Sequence, residues 1–304
     1  LKLMQNTHIE HPEDTILTGD LSALNWFVTD GKLSLKFDGA PAIVWGRNPA
    51  TGNFFVGTKS VFNKVKIKIN ESHEDIDANH QGVVAEILHE CFDNLPRTPW
   101  VIQGDFIGVG GKDEYTPNTI TYTFSKVVTE NIIIAPHTYY DVQDDLRNAV
   151  PQPLNFSLTD TFHCKFVKPQ AWIAYGSDKF DDVMDVVMFA KQMATMCEFV
   201  DDKKAKKMKK VFNTFIKIGA ELDEEALVLA CDCDRNLIRL WKLVKAIKED
   251  CLSICRNNGP TAYLGFDKVD AEGYVYANEF GMFKLVYREG FSRANFQNTR
   301  FGAS

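Results

Sequence analysis

The sequence predicts an α+β protein of mostly antiparallel sheets with an inserted helical subdomain. Short β-prone runs bounded by Gly, Pro, Asn and Asp recur over residues 31–176 and again over 259–304. Between them, residues 177–258 change period, with apolar residues three and four positions apart. Composition agrees: 304 residues, 45% hydrophobic and 25% charged, can bury a large core in one or two domains. The expected division is a sheet domain, 1–176 with 259–304, and a helical insertion, 177–258.

Residues 1–30 read as a lead-in. His11-Pro12-Glu13-Asp14 has the proline and first-turn acids of a helix start. Residues 21–27 suit a short helix or an extended segment, and His8 and His11 are assigned to the surface. Over 33–46 the chain reads as a hairpin of strand, turn and strand: Leu33 and Leu35 alternate with Ser34 and Lys36, Asp38-Gly39 turns, and Ala42-Ile43-Val44-Trp45 is apolar. A loop at 48–53 leads to a strand at 54–59. Residues 60–69 alternate, with Lys64, Lys66 and Lys68 on one face of an expected strand and Val65, Ile67 and Ile69 on the other. Those lysines are either a solvated face or a patch that tracks phosphates.

Residues 83–92 have helical spacing, with His89 in a structural role. Strands are expected at 100–108, 119–124, 131–135, 162–167 and 171–175. The Gly110-Gly111-Lys112 loop lacks the full phosphate-loop pattern. About four helices follow, with Val183, Val187, Phe189 and Met193 on the first inner stripe. Residues 203–210 hold six lysines, either a solvated helix face or a polyanion contact. Strands at 272–276 and 282–288 close the pattern, and the last sixteen residues are too few for another domain.

The net charge of −7 argues against a generally basic nucleic-acid binder and leaves only local patches. Seven scattered cysteines, an odd number, suit reduced thiols in a cytosol-like compartment. Cys231-x-Cys233 and Cys251-x3-Cys255 lack the usual zinc spacing. No apolar run approaches the ~20 residues of a membrane span, and no signal peptide opens the chain. A cytoplasmic monomer without membrane contact is the expectation.

Lys36 ends its strand beside Asp38 and Gly39. A lysine amine becomes a nucleophile when burial or a neighbouring cation favours its neutral form, and a glycine lets substrate approach the backbone. Three further motifs follow in order: Gly104-Asp105-Phe106-Ile107-Gly108, Glu272-Gly273-Tyr274-Val275-Tyr276 and Phe283-Lys284-Leu285-Val286. This series resembles the covalent nucleotidyltransferase superfamily of ATP-dependent RNA and DNA ligases and capping enzymes, over residues 31–140 and 262–290. The form of Gly104 to Gly108 is closer to RNA ligases, and residues 36–64 resemble tailed-phage relatives of these enzymes.

The resemblance implies a nucleotidyltransferase (ATP-grasp-like ligase) domain with Lys36 as the adenylylated nucleophile. It implies catalytic roles for Lys36, Asp38 and Lys284, with Asp38 orienting the turn. Gly39, Arg47, Lys59, Phe124, Glu272 and Lys284 would contact the nucleotide, Phe124 by stacking on the base. Asp105 and Glu272 would hold Mg²⁺ or Mn²⁺. Arg288 is a further candidate cation for the phosphates. The implied function is ATP-dependent RNA ligation of 5′-phosphate and 3′-hydroxyl ends, in a host cytoplasm if the chain is phage-encoded. The alternatives are a DNA ligase, a capping-type guanylyltransferase, transfer to a protein or small molecule, and an inactive nucleotide- or nucleic-acid-binding relative.

Three departures stand out. Asp105 replaces the family's Glu, and Val286 stands where a second lysine is usual. Too little chain follows Arg288 for an oligonucleotide-binding barrel, so 177–258 is the candidate nucleic-acid clamp.

Overall fold

The computed structural model describes residues 9–174 and 178–290. His8, Tyr175 and residues from 291 onward, all assigned above, lie outside them. The fold is mixed α and β, and among the described residues its sheets are mainly antiparallel. Contacts divide the chain into two compact units: one contains residues 37–168 and 259–265, the other 9–36, 169–258 and 266–290. This division differs from the expected one. The helices of 177–258 share a unit with the lead-in and the closing strands.

In the first unit the main sheet runs β3 (Phe54–Gly57), β2 (Ala42–Arg47), β4 (Val101–Val109), β7 (Ile132–Asp141), β8 (Val150–Pro153). Strand β9 (Cys164–Phe166) lies parallel to β7. Ile43, Trp45, Val56, Ile102 and Ile134 form one face and bury against α4 (Gly82–Asn94). Ser72 caps the preceding helix α3 (His73–Asn79) by accepting from the Asp75 amide at 3.1 Å. Val44, Phe55, Val101 and Tyr140 build a second cluster. The period of two expected for half-buried strands is thus used on both faces. A smaller ladder joins β5 (Glu114–Tyr115), β6 (Thr121–Thr123) and β12 (Thr261–Leu264).

The second unit contains α1 (Pro12–Thr15), α2 (Ser22–Trp26), β1 (Lys32–Lys36), β10 (Ala171–Ile173), α5 (Asp178–Ala194), α6 (Asp202–Lys217), α7 (Glu224–Cys231) and α8 (Arg235–Ser253). It continues with β11 (Cys255–Asn257), β13 (Asp267–Val269), β14 (Gly273–Asn278) and β15 (Gly281–Leu285). Strands β1, β14 and β15 form an antiparallel sheet. Leu33, Leu35, Tyr274, Tyr276, Phe283 and Leu285 pack into the helical core, which includes Phe212 and Trp241. Alternation sends Ser34, Lys36, Val275 and Lys284 to the other face.

Three expectations are corrected. The stretch 33–46 is not a hairpin: β1 pairs with β14, whereas β2 pairs with β3 and β4. A strand–turn–strand pattern does not say whether its strands pair with each other, and here long-range partners take both. Residues 60–69 are not a strand. Lys59–Phe62 is a 3₁₀ turn, the Lys68 amide bonds Ser60 O at 3.3 Å, and Lys66 has φ 55°. A left-handed residue breaks a ladder, so Val65 is left 77% exposed. Phe189 is not on the α5 inner stripe; Val183, Val187, Ala190 and Ala194 are, and Phe189 is 55% exposed.

Candidate active site

The β1–β14–β15 sheet places Lys36 and Lys284 on one face, and Glu272, the residue before β14, joins them through its carboxylate. Lys36 ends β1 opposite Gly273, and Lys284 of β15 stands opposite Val275. Gly273 follows Glu272, whose amide bonds the Lys36 carbonyl at 3.0 Å and whose carboxylate pairs with the Lys36 ammonium. Gly273 is required locally: its φ is +134°, and a Cβ there would lie 2.4 Å from Leu285 O. Lys284 is half-buried and makes no ion pair among the described residues. Burial, followed by repulsion from Lys36, holds its ammonium pKa below the ordinary lysine value.

A buried ionic cluster lies in the same unit. Lys248 Nζ is 2.5 Å from Glu13 Oε1, and Arg288 reaches Glu13 at 3.2 Å and Asp14 at 2.9 and 3.0 Å. Trp241 Nε1 donates to Asp14 at 2.9 Å, and Asn213 accepts from Arg288 at 2.8 Å. All four charged side chains are at most 4% exposed. Burial pushes the Glu13 carboxyl up, but Lys248 and Arg288 outweigh it and hold it below the usual range. Burial wins at Asp14 and raises its pKa. Arg288 is therefore corrected from a phosphate ligand to a buried clamp on two carboxylates.

His11 borders this cluster, with Nδ1 3.5 Å from Lys248 Nζ. Burial, then Lys248, Arg288, Lys284 and Lys36, push its pKa far below the ordinary histidine value. It is a half-buried neutral imidazole, not the expected surface residue. Sequence reasoning missed Lys248 and read Glu13 and Asp14 only as first-turn acids. One signal was available: Leu237, Trp241, Val244 and Lys248 repeat at helical spacing, which places the lysine on the inner stripe of α8.

The first unit holds the remaining motif residues. Asp38 is buried, and its carboxylate accepts from Asn118 Nδ2 at 2.9 Å and from the Thr119 and Ile120 amides at 2.8 and 3.0 Å. Its visible task is to fix the 118–120 loop. Gly39 packs on β4 so closely that a Cβ would sit 2.4 Å from Asp105 Cβ. Asp105 Oδ1 is 3.7 Å from His137 Nε2.

Arg47 is not brought to Asp105. Asp105 pairs with Ala42 at one end of β2, and Arg47 ends the strand on the opposite face. Lys59 is exposed and opens a 3₁₀ turn whose Val61 and Phe62 are buried. Phe124 packs edge-to-face on Tyr115 at 5.9 Å. No group of three or more His, Cys, Asp or Glu residues could hold a metal among the described residues. The carboxylate of Glu272 is already engaged by Lys36.

On α6, Ala205, Met208, Phe212 and Ile216 face the core, which leaves Lys203, Lys206, Lys207 and Lys210 exposed. Lys209 pairs with Glu10 at 3.4 Å, and Lys204 bonds Asp232 O. The cysteines are free thiols. No helix among the described residues is long and apolar enough to cross a membrane.

No curated protein and no solved structure matches the chain. A family model does match, over residues 6–231 and 232–300, and the chain belongs to that family, described as "Family of unknown function (DUF6267)".

Proposed function

We propose that the chain is an ATP-dependent nucleotidyltransferase that forms a lysyl-AMP at Lys36 and passes AMP to a 5′-phosphate nucleic-acid end, RNA in preference. The carrying observation is the Lys36 end of the β1–β14–β15 sheet. Residues far apart in sequence supply there a lysine, a carboxylate paired to it and a second lysine without a carboxylate.

The chemistry follows from these groups. Lys36 Nζ, once neutral, attacks the α-phosphorus of ATP; an N–P bond forms and the P–O bond to pyrophosphate breaks. Glu272 is the adjacent base that takes the amine proton. Lys284 offers positive charge to the phosphates as charge shifts toward the leaving group. A 5′-phosphate oxygen then displaces Lys36 from the AMP, and a 3′-hydroxyl displaces AMP. The exposed lysines of α6 are the candidate contact for the nucleic-acid backbone.

Among the described residues of this unit, no group of three or more His, Cys, Asp or Glu could hold a metal. ATP would bring Mg²⁺ or Mn²⁺ on its own phosphates. A non-catalytic nucleotide-binding relative is the second reading. It is favoured by Val286, 3% exposed in the core where the superfamily has a second lysine.

The test is incubation with α-labelled ATP or GTP and Mg²⁺, followed by a denaturing gel and intact mass, for wild type and Lys36→Ala. An acid-labile AMP adduct absent from the variant supports the proposal. A GMP adduct redirects it to capping-type transfer. No adduct from either nucleotide, on folded protein not already modified, overturns it in favour of the second reading.

A further inference from the structure

Two histidines of the first unit face each other at their Nδ1 atoms. His73, the first residue of α3, and His89 of α4 stand 2.7 Å apart there, head to head, with ring planes inclined at 22° and 4.9 Å between centroids. Both outer nitrogens meet carboxylates: His73 Nε2 lies 2.8 Å from Asp93 Oδ1, and His89 Nε2 lies 2.7 Å from Asp77 Oδ1. An ionised carboxylate only accepts hydrogen bonds, so each Nε2 is the donor. A neutral imidazole has one N–H, which leaves a lone pair on each Nδ1. Two lone pairs at this distance require a cation between them.

We propose that His73 and His89 form a two-imidazole site for a divalent transition metal such as Ni²⁺ or Zn²⁺. Three observations carry it. With each Nε2 donating, a neutral ring presents a lone pair on the facing Nδ1. Both outer nitrogens have the carboxylate partners that orient imidazoles on metals and raise their basicity. Both rings are partly open to solvent, with 42% and 29% of their side chains exposed, so a metal can reach the pair and keep water in its remaining positions.

In the closed pair a proton bridges the nitrogens. The metal displaces it: two N–metal bonds form, the N–H bond breaks, and the proton leaves to solvent. At zinc–nitrogen distances of ~2.0–2.1 Å and a tetrahedral angle, the nitrogens would stand ~3.4 Å apart. The rings therefore part by roughly 0.7 Å, and His73 can yield because it begins its helix. Imidazole suits Zn, Ni and Cu, whereas Mg²⁺ and Ca²⁺ favour oxygen ligands and would not compete. The site is independent of the chemistry proposed at Lys36.

The experiment is calorimetric titration of the full, reduced, chelator-treated chain with Ni²⁺, in two buffers that differ in ionisation enthalpy. Wild type is expected to bind one equivalent with micromolar affinity and release one proton. His73→Gln and His89→Gln should each lose that equivalent, and Asp77→Asn/Asp93→Asn should weaken it ~10-fold or more. Circular dichroism verifies that each variant folds. The proposal fails if wild type shows no saturable binding, which leaves the pair bridged by a proton alone. It also fails if the His73→Gln/His89→Gln double variant keeps the equivalent, which assigns the metal to the free thiols.

Discussion

Acid should destabilise the second unit through His11. In the unfolded chain this imidazole protonates around its ordinary 6.5; in the fold, burial and then the Lys248, Arg288, Lys284 and Lys36 charges keep it neutral. Below 6.5 the unfolded state therefore binds the extra proton, and stability falls as pH falls. The slope from one group is about 1.4 kcal/mol per pH unit, so lowering the pH from about 7 to 5 should cost about 2 kcal/mol. His11→Gln removes the titration and keeps a neutral polar side chain beside Lys248. Urea unfolding of both proteins, followed by tryptophan fluorescence at several pH values, isolates the effect because the other histidines cancel in the difference. Wild type should lose about 2 kcal/mol more than the variant across that window. Stability-versus-pH curves that stay parallel to within about 0.5 kcal/mol would refute the reasoning and return His11 to the surface.

Arg288→Met should cost about 3–5 kcal/mol in urea unfolding, because it leaves Glu13 and Asp14 buried without their clamp; a loss below about 1 kcal/mol would contradict that role. Lys284→Ala should slow adduct formation from labelled ATP by about 10²-fold or more while the protein stays folded, and an unchanged rate would remove Lys284 from the site. Asp38→Ala strips the acceptor from Asn118, Thr119 and Ile120. It should destabilise by about 3 kcal/mol and speed proteolysis at 118–120, whereas Asp38→Asn should retain part of the loss. Gly273→Ala should impair both stability and adduct formation, because its Cβ would press on Leu285 O beside Glu272; a fully active, equally stable variant would show that this backbone can shift.

Local patterns predicted local structure well. The alternation of Leu33 and Leu35 marked a strand, and helical spacing placed Val183 and Val187 on the inner face of α5, although it also placed Phe189 there, which is exposed. They could not say which strand pairs with which, so the 33–46 hairpin failed when β14 claimed β1 and β4 claimed β2. The same limit applies to side chains with two uses. Glu13 and Asp14 satisfy helix-start preferences, yet the partners that justify their burial, Lys248 and Arg288, lie more than two hundred residues away in sequence. Alternation also failed at 60–69, where the chain leaves β3 through a 3₁₀ turn and Lys66 turns left-handed. Of the residues singled out for the candidate site, Lys36, Glu272 and Lys284 lie at the β1–β14–β15 sheet and its edge, whereas Arg47 faces away from Asp105.

Charge count gives the candidate site its chemical direction. In the buried cluster Lys248 and Arg288 are offset by Glu13 and Asp14, Lys209 is offset by Glu10, and His11 is neutral. At the end of the sheet Glu272 offsets one lysine of two. That surplus lies on a molecule of net charge −7, so it is local rather than a reflection of overall composition. An anionic ligand would relieve the Lys36–Lys284 repulsion and restore the charged form of Lys284 that burial disfavours. A phosphate chain does both while leaving Lys36 to exchange its carboxylate partner for phosphorus. A purely structural ion pair would need Lys36 and Glu272 but would give no reason for Lys284 on the same face. Under the proposed function, the second lysine is what distinguishes a site for an anion from a pair that only holds two strands together.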